Sequence, residues 1–199
     1  ILRLFAMATP RISAIICTHN REQYLGAAID SLLEQTLDNY EIIVVDNAST
    51  DSTAAIAKAR LGDPKVQYIH EPTLGLSVAR NCGAEAAKGE VVAYLDDDAE
   101  ASEGWLAALI KVCEENERVA IAGGKVTLIW PPNAHPPRWL SDDLASGLGL
   151  YDLGNELTYI QQPALTPRGL NYAVRKSFLN EVGGFDTHLG RVGNNLLSN

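Results

Sequence analysis

The first 129 residues alternate between short apolar segments and amphipathic ones, and this alternation restricts the folds that the chain can adopt. The apolar, β-rich segments are 12–17, 41–46, 66–70, 91–95 and 119–129. Helical patterns lie between them, at 22–35, directly after 47–53, at 76–87 and at 102–115. Continuous apolar strands separated by amphipathic helices are typical of a mostly parallel sheet that helices cover on both faces. The sequence therefore predicts an α/β fold of this class.

The pattern changes after residue 129. The segment WPPNAHPPRW (130–139) holds four of the nine prolines, so it cannot be a central strand or a helix and is predicted to be an ordered loop. Residues 143–168 are weakly patterned, and LNYAVRKSFLNEVGGF (170–185) predicts a strand followed by a short helix that ends at Gly183. The alternating sheet region is therefore expected to be complete before residue 130.

Composition limits the number of domains and the class of partner. With 46% apolar residues, the 199-residue chain can bury one sizeable core. We expect residues 1–11 to be a leader or disordered and residues 12–199 to form a single domain. The formal net charge of −9 argues against a nucleic-acid partner, because the chain has no Lys/Arg cluster that could neutralise phosphates.

The cysteines and the apolar runs indicate the compartment. Cys17, Cys82 and Cys113 are far apart and lack the spacing of a zinc site or a redox pair, so reduced core cysteines in a cytoplasmic protein are expected. No apolar run approaches the roughly 18 residues of a membrane span, so no transmembrane segment is expected in this chain.

Three of the predicted strands end in polar or acidic residues, in the segments IICTHNR, VVDNASTD and YLDDD. Each segment alone could be a helix cap or a turn, because Thr, Asn, Asp and Ser favour those positions. In an open parallel sheet, however, ligands bind beyond the carboxyl ends of the strands. Three such segments at one edge therefore predict a binding site.

The aspartate triplet at 96–98 raises the question of what offsets its repulsion. If the strand continues through the triplet, Asp96 and Asp98 point to one side and Asp97 points to the other. Two carboxylates on one side suit Mg²⁺ or Mn²⁺, which would let this acidic chain bind a diphosphate. The alternative is a solvated acidic loop that leads into the 102–115 helix, whose amino end favours carboxylates.

Four segments together resemble the family 2 glycosyltransferases, nucleotide-sugar-dependent enzymes of the Rossmann-like GT-A fold. They are IICTHNREQYLGAAIDSLLEQT, YEIIVVDNASTDST, GLSVARNCGAEAAKGEVVAYLDDDAE and GGFDTHLGR. The resemblance covers residues 12–199 apart from the proline-rich segment. It implies a nucleotide-binding half at 12–101 and an acceptor-side half at 102–199 that is truncated at its carboxyl end.

The resemblance also implies roles for residues on the donor side. Thr18 and Asn20 would line the nucleotide pocket with Arg21 nearby, and Asp46 would accept a hydrogen bond from the uracil edge. Arg80 would lie near the diphosphate, although a helix-surface ion pair explains this arginine equally well.

On the sugar side, the resemblance assigns the acidic residues. Asp96 and Asp97 would approach the ribose and the sugar, and Asp98 would bind the metal, with Asp96 as the second carboxylate of the metal site. Asp186 would lie at the acceptor side and is a weak candidate for the general base. The general base itself is expected after Asn199.

The implied reaction is metal-assisted transfer of a sugar, with inversion, from a nucleotide-diphosphate sugar to a hydroxyl of a saccharide or lipid-linked acceptor. UDP-sugars are the expected donors, and the expected location is the cytoplasm or the inner face of the membrane. The alternative is a non-catalytic nucleotide-sugar binding module on the same scaffold. A phosphoacceptor receiver domain fits less well, because it needs an acidic pair where this chain has THN.

Overall fold

A computed structural model describes residues 9–192 and 195–197 of the chain. Its main sheet has six strands: β1 (Ile12–Thr18), β2 (Tyr40–Asn47), β3 (Val66–Glu71), β4 (Val91–Asp96), β5 (Ile121–Gly123) and β6 (Asn171–Arg175). A separate hairpin consists of β7 (Gly190–Val192) and β8 (Asn195–Leu197). The helices are α1 (Leu25–Leu33), α2 (Thr53–Lys58), α3 (Leu76–Ala86), α4 (Trp105–Glu115), α5 (Asp142–Ser146) and α6 (Lys176–Glu181), and Pro163–Leu165 form a 3₁₀ turn.

The strand order of the main sheet is β3-β2-β1-β4-β6-β5. Strands β1 to β4 are mutually parallel, whereas β6 pairs antiparallel with both β4 and β5. The prediction of a mostly parallel sheet is confirmed.

Helices pack on both faces of this sheet, as the apolar strands predict. In β1, Ile12 and Ile16 belong to a core cluster that also contains side chains of α1 and α4. Ile15 points to the other face, where it belongs to a second cluster with side chains of α3 and α6. Because successive side chains of a strand alternate between faces, one continuous apolar strand contributes to two cores.

The strand predicted at 119–129 is much shorter in the structure. Strand β5 ends at Gly123, because its partner β6 extends no farther: Gly123 pairs with Tyr172, and β6 begins at Asn171. Pro167 packs beside Gly123, where a Cβ would lie 2.3 Å from the Cβ of Pro167. Farther along, Val126 makes only an isolated bridge with Tyr151. The proline-rich segment 130–139 contains no helix or strand, as predicted.

The amino end of the described chain packs on the domain. The carbonyl oxygen of Thr9 accepts a hydrogen bond from the Asn39 side chain at 2.8 Å, and Arg11 pairs with Glu114 of α4. Residues 1–8, which make up most of the expected leader, lie outside the described residues. Within the described part of the chain, no helix has the length and apolar character needed to cross a membrane.

Candidate functional site

A cleft of about 590 Å³ lies beyond the carboxyl ends of β1, β2 and β4. The register of the sheet places these ends level, since Thr18 pairs with Asp46 and Cys17 pairs with Asp96. Seven of the residues proposed from the sequence line the cleft: Thr18, Asn20, Arg21, Arg80, Asp96, Asp97 and Asp98. The edge of the sheet therefore brings together segments that are up to 80 residues apart in the sequence.

The aspartate triplet does not continue β4. The strand ends at Asp96, and Asp97 and Asp98 form a turn that the Ala99 amide closes by donating to the Asp96 carbonyl oxygen at 3.2 Å. The condition under which Asp96 and Asp98 would share a strand face is therefore not met, because the alternation of side chains ends with the strand. Asp97 is instead buried, whereas the Asp98 side chain is 49% exposed.

Among the described residues, Arg21 is the arginine within ion-pair distance of the acidic turn. The Arg21 Nε lies 3.6 Å from Asp97, and its Nη2 lies 4.0 Å from Asp98. Even so, burial raises the pKa of Asp97 to about 6, against the opposing effects of the Thr18 hydroxyl and Arg21. Burial also raises the pKa of Asp96; Arg80 opposes the rise most strongly, and the negative charge of Asp98 adds to it. The cleft thus holds carboxylates whose charged forms the protein alone stabilises incompletely.

The carboxylates of Asp96 and Asp98 are oxygen ligands of the kind that a hard divalent cation prefers. Asp96 and Asp98 line one cleft, and the effect of Asp98 on the pKa of Asp96 indicates that their charges interact. In the described part of the chain, no group of three or more His, Cys, Asp or Glu side chains is arranged to hold a metal. Two carboxylates leave coordination positions for water and phosphate oxygens, which is how Mg²⁺ is usually held beside a nucleotide.

Arg80 enters the cleft from α3 and is held by aromatic rings. Its guanidinium carbon lies 5.9 Å from the ring centre of Tyr94, 6.0 Å from that of Tyr172 and 5.5 Å from that of Phe185. Its Nη2 donates to the carbonyl oxygen of Gly169 at 3.2 Å. No ion pair of Arg80 occurs among the described residues, so the alternative of a helix-surface ion pair finds no support there.

The loops that follow β1 and β2 are fastened to each other. Asn20 has a left-handed backbone conformation, with φ of 53°. Its amide donates to the Ser49 hydroxyl at 3.0 Å, and its side-chain oxygen accepts from the Thr50 amide at 2.8 Å. The Arg21 amide donates to the Thr53 hydroxyl at 2.9 Å. These bonds fix the rim of the cleft beside Arg21.

Asp46 lies at the end of β2 and is 1% exposed, outside the residues that line the cleft. Its Oδ2 accepts from the Tyr68 hydroxyl at 2.7 Å, and its Oδ1 accepts from the Ser49 amide at 3.0 Å. An ionised carboxylate can accept about four hydrogen bonds, so these two do not exhaust it.

Asp186 is also outside the cleft lining and lies on an exposed turn. Its Oδ1 accepts from the His188 amide at 2.9 Å and lies 3.0 Å from the His188 Nδ1. These contacts with His188 lower the pKa of Asp186. A carboxylate held in this way is a weaker base than a free one.

Among the lining residues that were not proposed from the sequence are two with polar side chains, His19 and Asn47, and one with a cationic side chain, Arg191. The His19 Nδ1 lies 2.7 Å from the Asn47 carbonyl oxygen, and the Asn47 side chain donates to the Thr73 carbonyl oxygen and accepts from the Gly75 amide, both at 2.7 Å. His19 and Asn47 belong to the motifs THN and VVDN. Their position at the ends of predicted strands could therefore have indicated that they line the cleft. Arg191 is the last residue of the quoted segment GGFDTHLGR, but it follows no strand of the parallel sheet, so the pattern of strand ends did not indicate it.

A family model described as Glycosyl transferase family 2 matches residues 13–174. Glucosyl-dolichyl phosphate glucuronosyltransferase of Haloferax volcanii is 28% identical over 187 residues, which are 92% of this chain and 58% of that protein. A putative glycosyltransferase of Bacillus subtilis, EpsH, is 40% identical over 94 residues, which are 46% of this chain and 27% of that protein.

Solved structures with a similar fold include two complexes with nucleotide sugars. The mannosyltransferase PcManGT from Pyrobaculum calidifontis, in complex with GDP-Man and Mn²⁺, is 23% identical with a TM-score of 0.65 and aligns with 91% of this chain and 49% of its own. S. aureus TarS in complex with UDP-GlcNAc is 20% identical with a TM-score of 0.70 and aligns with 91% of this chain and 50% of its own. The expected GT-A fold is thus confirmed, and this chain spans about half the length of these two structures.

Proposed function

The chain belongs to glycosyl transferase family 2, and from that premise we propose that its cleft binds a nucleotide-diphosphate sugar whose sugar is transferred, with inversion, to an acceptor hydroxyl. The observation that carries the proposal is the meeting of three aspartates and three arginines in one cleft of about 590 Å³. Ligand sites usually have volumes of about 300–1,000 Å³. Charged groups of both signs in such a space suit a ligand that combines a diphosphate with polar sugars.

In this proposal Arg80 faces the diphosphate. Its three neighbouring rings are favourable for a cation but offer no carboxylate, so its charge remains available to an anion. Arg21, which already lies near Asp97 and Asp98, keeps the acidic turn from repelling the phosphates. Thr18 and Asn20 bind the nucleoside. Asp46 accepts the uracil N–H of a UDP-sugar in this proposal, which requires its carboxylate, buried outside the cleft lining, to become accessible when the nucleotide binds.

Asp98 and Asp96 would hold a Mg²⁺ or Mn²⁺ ion, and Asp97 with Asp96 would approach the ribose and the sugar. A bound divalent cation supplies stabilisation of the negative charge that develops on the departing diphosphate. The raised pKa values of Asp96 and Asp97 support this assignment, because a cation would offset the unfavourable charges there.

Inversion in a single displacement requires a base that takes the proton of the acceptor hydroxyl. Within the described residues the carboxylates of the cleft are those at 96–98, and all three have donor-side roles in this proposal. The general base therefore stays a prediction beyond Asn199, and Asp186 stays the weaker candidate. Cys17 lines the cleft as well, but burial raises its pKa to about 12, which argues against a thiolate nucleophile.

The acceptor is proposed to be a saccharide or a lipid-linked sugar. The name of the Haloferax volcanii relative supports the second, since it refers to a glucosyl-dolichyl phosphate. An acceptor of this kind would bring the domain to the inner face of the membrane, and a free saccharide would leave it in the cytoplasm.

The test is a donor screen with UDP-, GDP- and TDP-sugars in the presence of Mn²⁺. The proposal predicts that at least one sugar nucleotide binds and is slowly hydrolysed, with the Asp98→Asn variant inactive. Binding without any turnover, both in this chain and in one extended beyond Asn199, would support the non-catalytic binding module instead. If no sugar nucleotide binds, the proposed function is wrong.

A further inference from the structure

The segment 184–192 brings a third arginine to the cleft. Its last three residues form β7, which pairs with β8 and not with the main sheet. Arg191 in β7 lines the cleft together with the acidic turn 96–98 and Arg80. Since the main sheet does not hold β7, contacts with another element must determine where Arg191 lies.

Two side chains of α3 provide those contacts. Asn81 makes a reciprocal pair of hydrogen bonds with Phe185: its Nδ2 donates to the carbonyl oxygen at 2.8 Å, and its Oδ1 accepts from the amide at 2.8 Å. One turn earlier, the Ser77 hydroxyl donates to the Leu189 carbonyl oxygen at 2.9 Å. Both ends of the segment are therefore fastened to the helix that also carries Arg80.

Glycines allow the backbone to approach α3 at both points. Gly184 has φ of 83°, and a Cβ there would lie 2.8 Å from the Asn81 Oδ1. Gly190 has φ of 98°, and a Cβ there would lie 3.2 Å from the Ser77 hydroxyl oxygen. A side chain at either position would adopt an unfavourable backbone conformation and crowd the residue that makes the hydrogen bond.

Arg191 differs from the other two arginines of the cleft in its partners. Arg21 lies within ion-pair distance of Asp97 and Asp98, and Arg80 donates to Gly169 and contacts three aromatic rings. The Arg191 side chain makes no hydrogen bond or ion pair with any other residue in the ranges that the structure describes, and it is exposed. Its charge nevertheless reaches the acidic turn, since it lowers the pKa of Asp96.

We propose that Arg191 is a binding residue for the diphosphate of the donor, and that Asn81 and Ser77 are positioning residues that hold it in the cleft that Arg80 also lines. This inference rests on the proposed function and deepens it. A guanidinium without an internal partner can make a bidentate contact with phosphate oxygens and loses no existing bond in doing so. The diphosphate would then contact two cations, one carried by α3 and one on a segment bonded to α3.

The test measures the affinity of the chain for UDP, GDP and TDP with Mg²⁺ by calorimetry, and for the monophosphate of whichever binds best. Arg191→Ala is expected to weaken diphosphate binding about 10- to 100-fold, as losing a charged hydrogen-bond pair does. The affinity for the monophosphate should fall by a much smaller factor. Arg191→Lys should recover part of the affinity, because it keeps the charge but not the planar fork. Arg138→Ala, which removes the same charge from the exposed proline-rich segment, is the matched control and should bind like the wild type.

Asn81→Ala tests the positioning role. This substitution should lower the affinity for the diphosphate by a smaller factor, about 3- to 10-fold. The loss should disappear when Arg191 is already alanine, because the effects of two substitutions that act through one contact are not additive. Equal losses of Asn81→Ala in both backgrounds would mean that Asn81 supports the fold alone.

The possible outcomes separate this inference from the proposed function. Wild-type binding with no loss in Arg191→Ala overturns the role of Arg191 and leaves the proposed function intact. A wild-type chain that binds none of the three diphosphates overturns both. If Arg191→Ala lowers the melting temperature, Arg191→Gln is used in its place, since it keeps the bulk of the side chain without the charge.

Discussion

Two buried carboxylates lie at opposite ends of the same sheet and have very different surroundings. Glu41, at the amino end of β2, accepts from the Ser13 hydroxyl at 2.7 Å, from the Lys88 amide at 2.6 Å and from the Gln67 side chain. Asp97, beyond the carboxyl end of β4, has the Arg21 guanidinium 3.6 Å away and the Thr18 hydroxyl nearby. The two residues are 4% and 9% exposed, so burial alone does not distinguish them.

The difference lies in how far the protein itself satisfies each charge. The donors around Glu41 come from β1, β3 and the loop between α3 and β4, and they join those elements in the folded state. Asp97 retains a pKa raised to about 6, which means that its surroundings favour the neutral acid. A carboxylate that the fold satisfies is part of the structure, whereas one that it leaves partly unsatisfied is a candidate for ligand chemistry.

The largest effect on stability is expected from Glu41→Ala. It leaves three donors without their acceptor, and removing a charged, buried hydrogen-bond partner costs roughly 3 kcal/mol. Urea denaturation should show that loss, whereas nucleotide affinity at a temperature where the variant is folded should be unchanged. A Glu41 variant as stable as the wild type would mean that the network at the amino end contributes little.

Asp98→Asn should have the largest effect at the other end of the sheet, on binding instead of stability. If Asp98 holds the metal, the variant should bind UDP or GDP about 10- to 100-fold more weakly than the wild type does. Chelation of the metal should lower the affinity of the wild type to a similar extent. Calorimetry with and without EDTA should show no further loss in the variant. Asp142→Asn, which removes an exposed carboxylate of α5, serves as the control. Equal metal dependence in Asp98→Asn and wild type would exclude Asp98 as the ligand.

Asp97→Asn should stabilise the metal-free protein at neutral pH. Because the folded pKa of about 6 lies above the ordinary value of 3.8, Asp97 favours folding below pH 3.8 and this contribution is lost as the pH rises through 6. Asparagine does not ionise, so the variant does not lose this contribution. Its free energy of unfolding at pH 7 should exceed that of the wild type by an amount on the order of 1–2 kcal/mol. Denaturation in EDTA at pH 4, 5, 6 and 7 measures the difference in free energy of unfolding between the variant and the wild type. A difference that does not grow with pH would contradict the raised pKa.

Tyr68→Phe should have the smallest effect. Its hydroxyl donates to Asp46 at 2.7 Å, and a hydrogen bond of this kind contributes about 1 kcal/mol. Tyr40→Phe removes a hydroxyl that donates at 2.7 Å to the Leu32 carbonyl oxygen, within the core cluster on one face of the sheet. If Asp46 binds the nucleobase, Tyr68→Phe should change the ratio of UDP to GDP affinity and Tyr40→Phe should not. Unchanged ratios in both variants would argue against the role of Asp46.

Much of this architecture was predictable because the four parallel strands are continuous apolar segments of ordinary length, which is typical of strands that helices cover on both faces. The ends of the same segments indicated Thr18, Asp46 and Asp96, since each lies within one residue of the carboxyl end of its strand. The short β5 was not predictable, because its length depends on where its partner β6 begins, and β6 is far away in the sequence.

The shape of the acidic turn and the position of Arg191 were also beyond the sequence pattern. Alternation predicts side-chain direction only within a strand, and β4 ends one residue before Asp97. The segment that carries Arg191 is bonded to α3 by the side chains of Asn81 and Ser77, whose partners are main-chain atoms of Phe185 and Leu189. The glycines beside these contacts do not by themselves indicate which element they approach.

Ligand binding is expected at the carboxyl edge of the sheet and not at the amino edge. The most direct test is to record amide chemical shifts by NMR during titration with UDP or GDP and the diamagnetic ion Mg²⁺. Shifts are expected at residues 18–21 and 96–98, with those at Ser13, Glu41 and Gly89 unchanged. Saturable shifts centred on the amino edge, or no shifts with either nucleotide, would contradict this expectation.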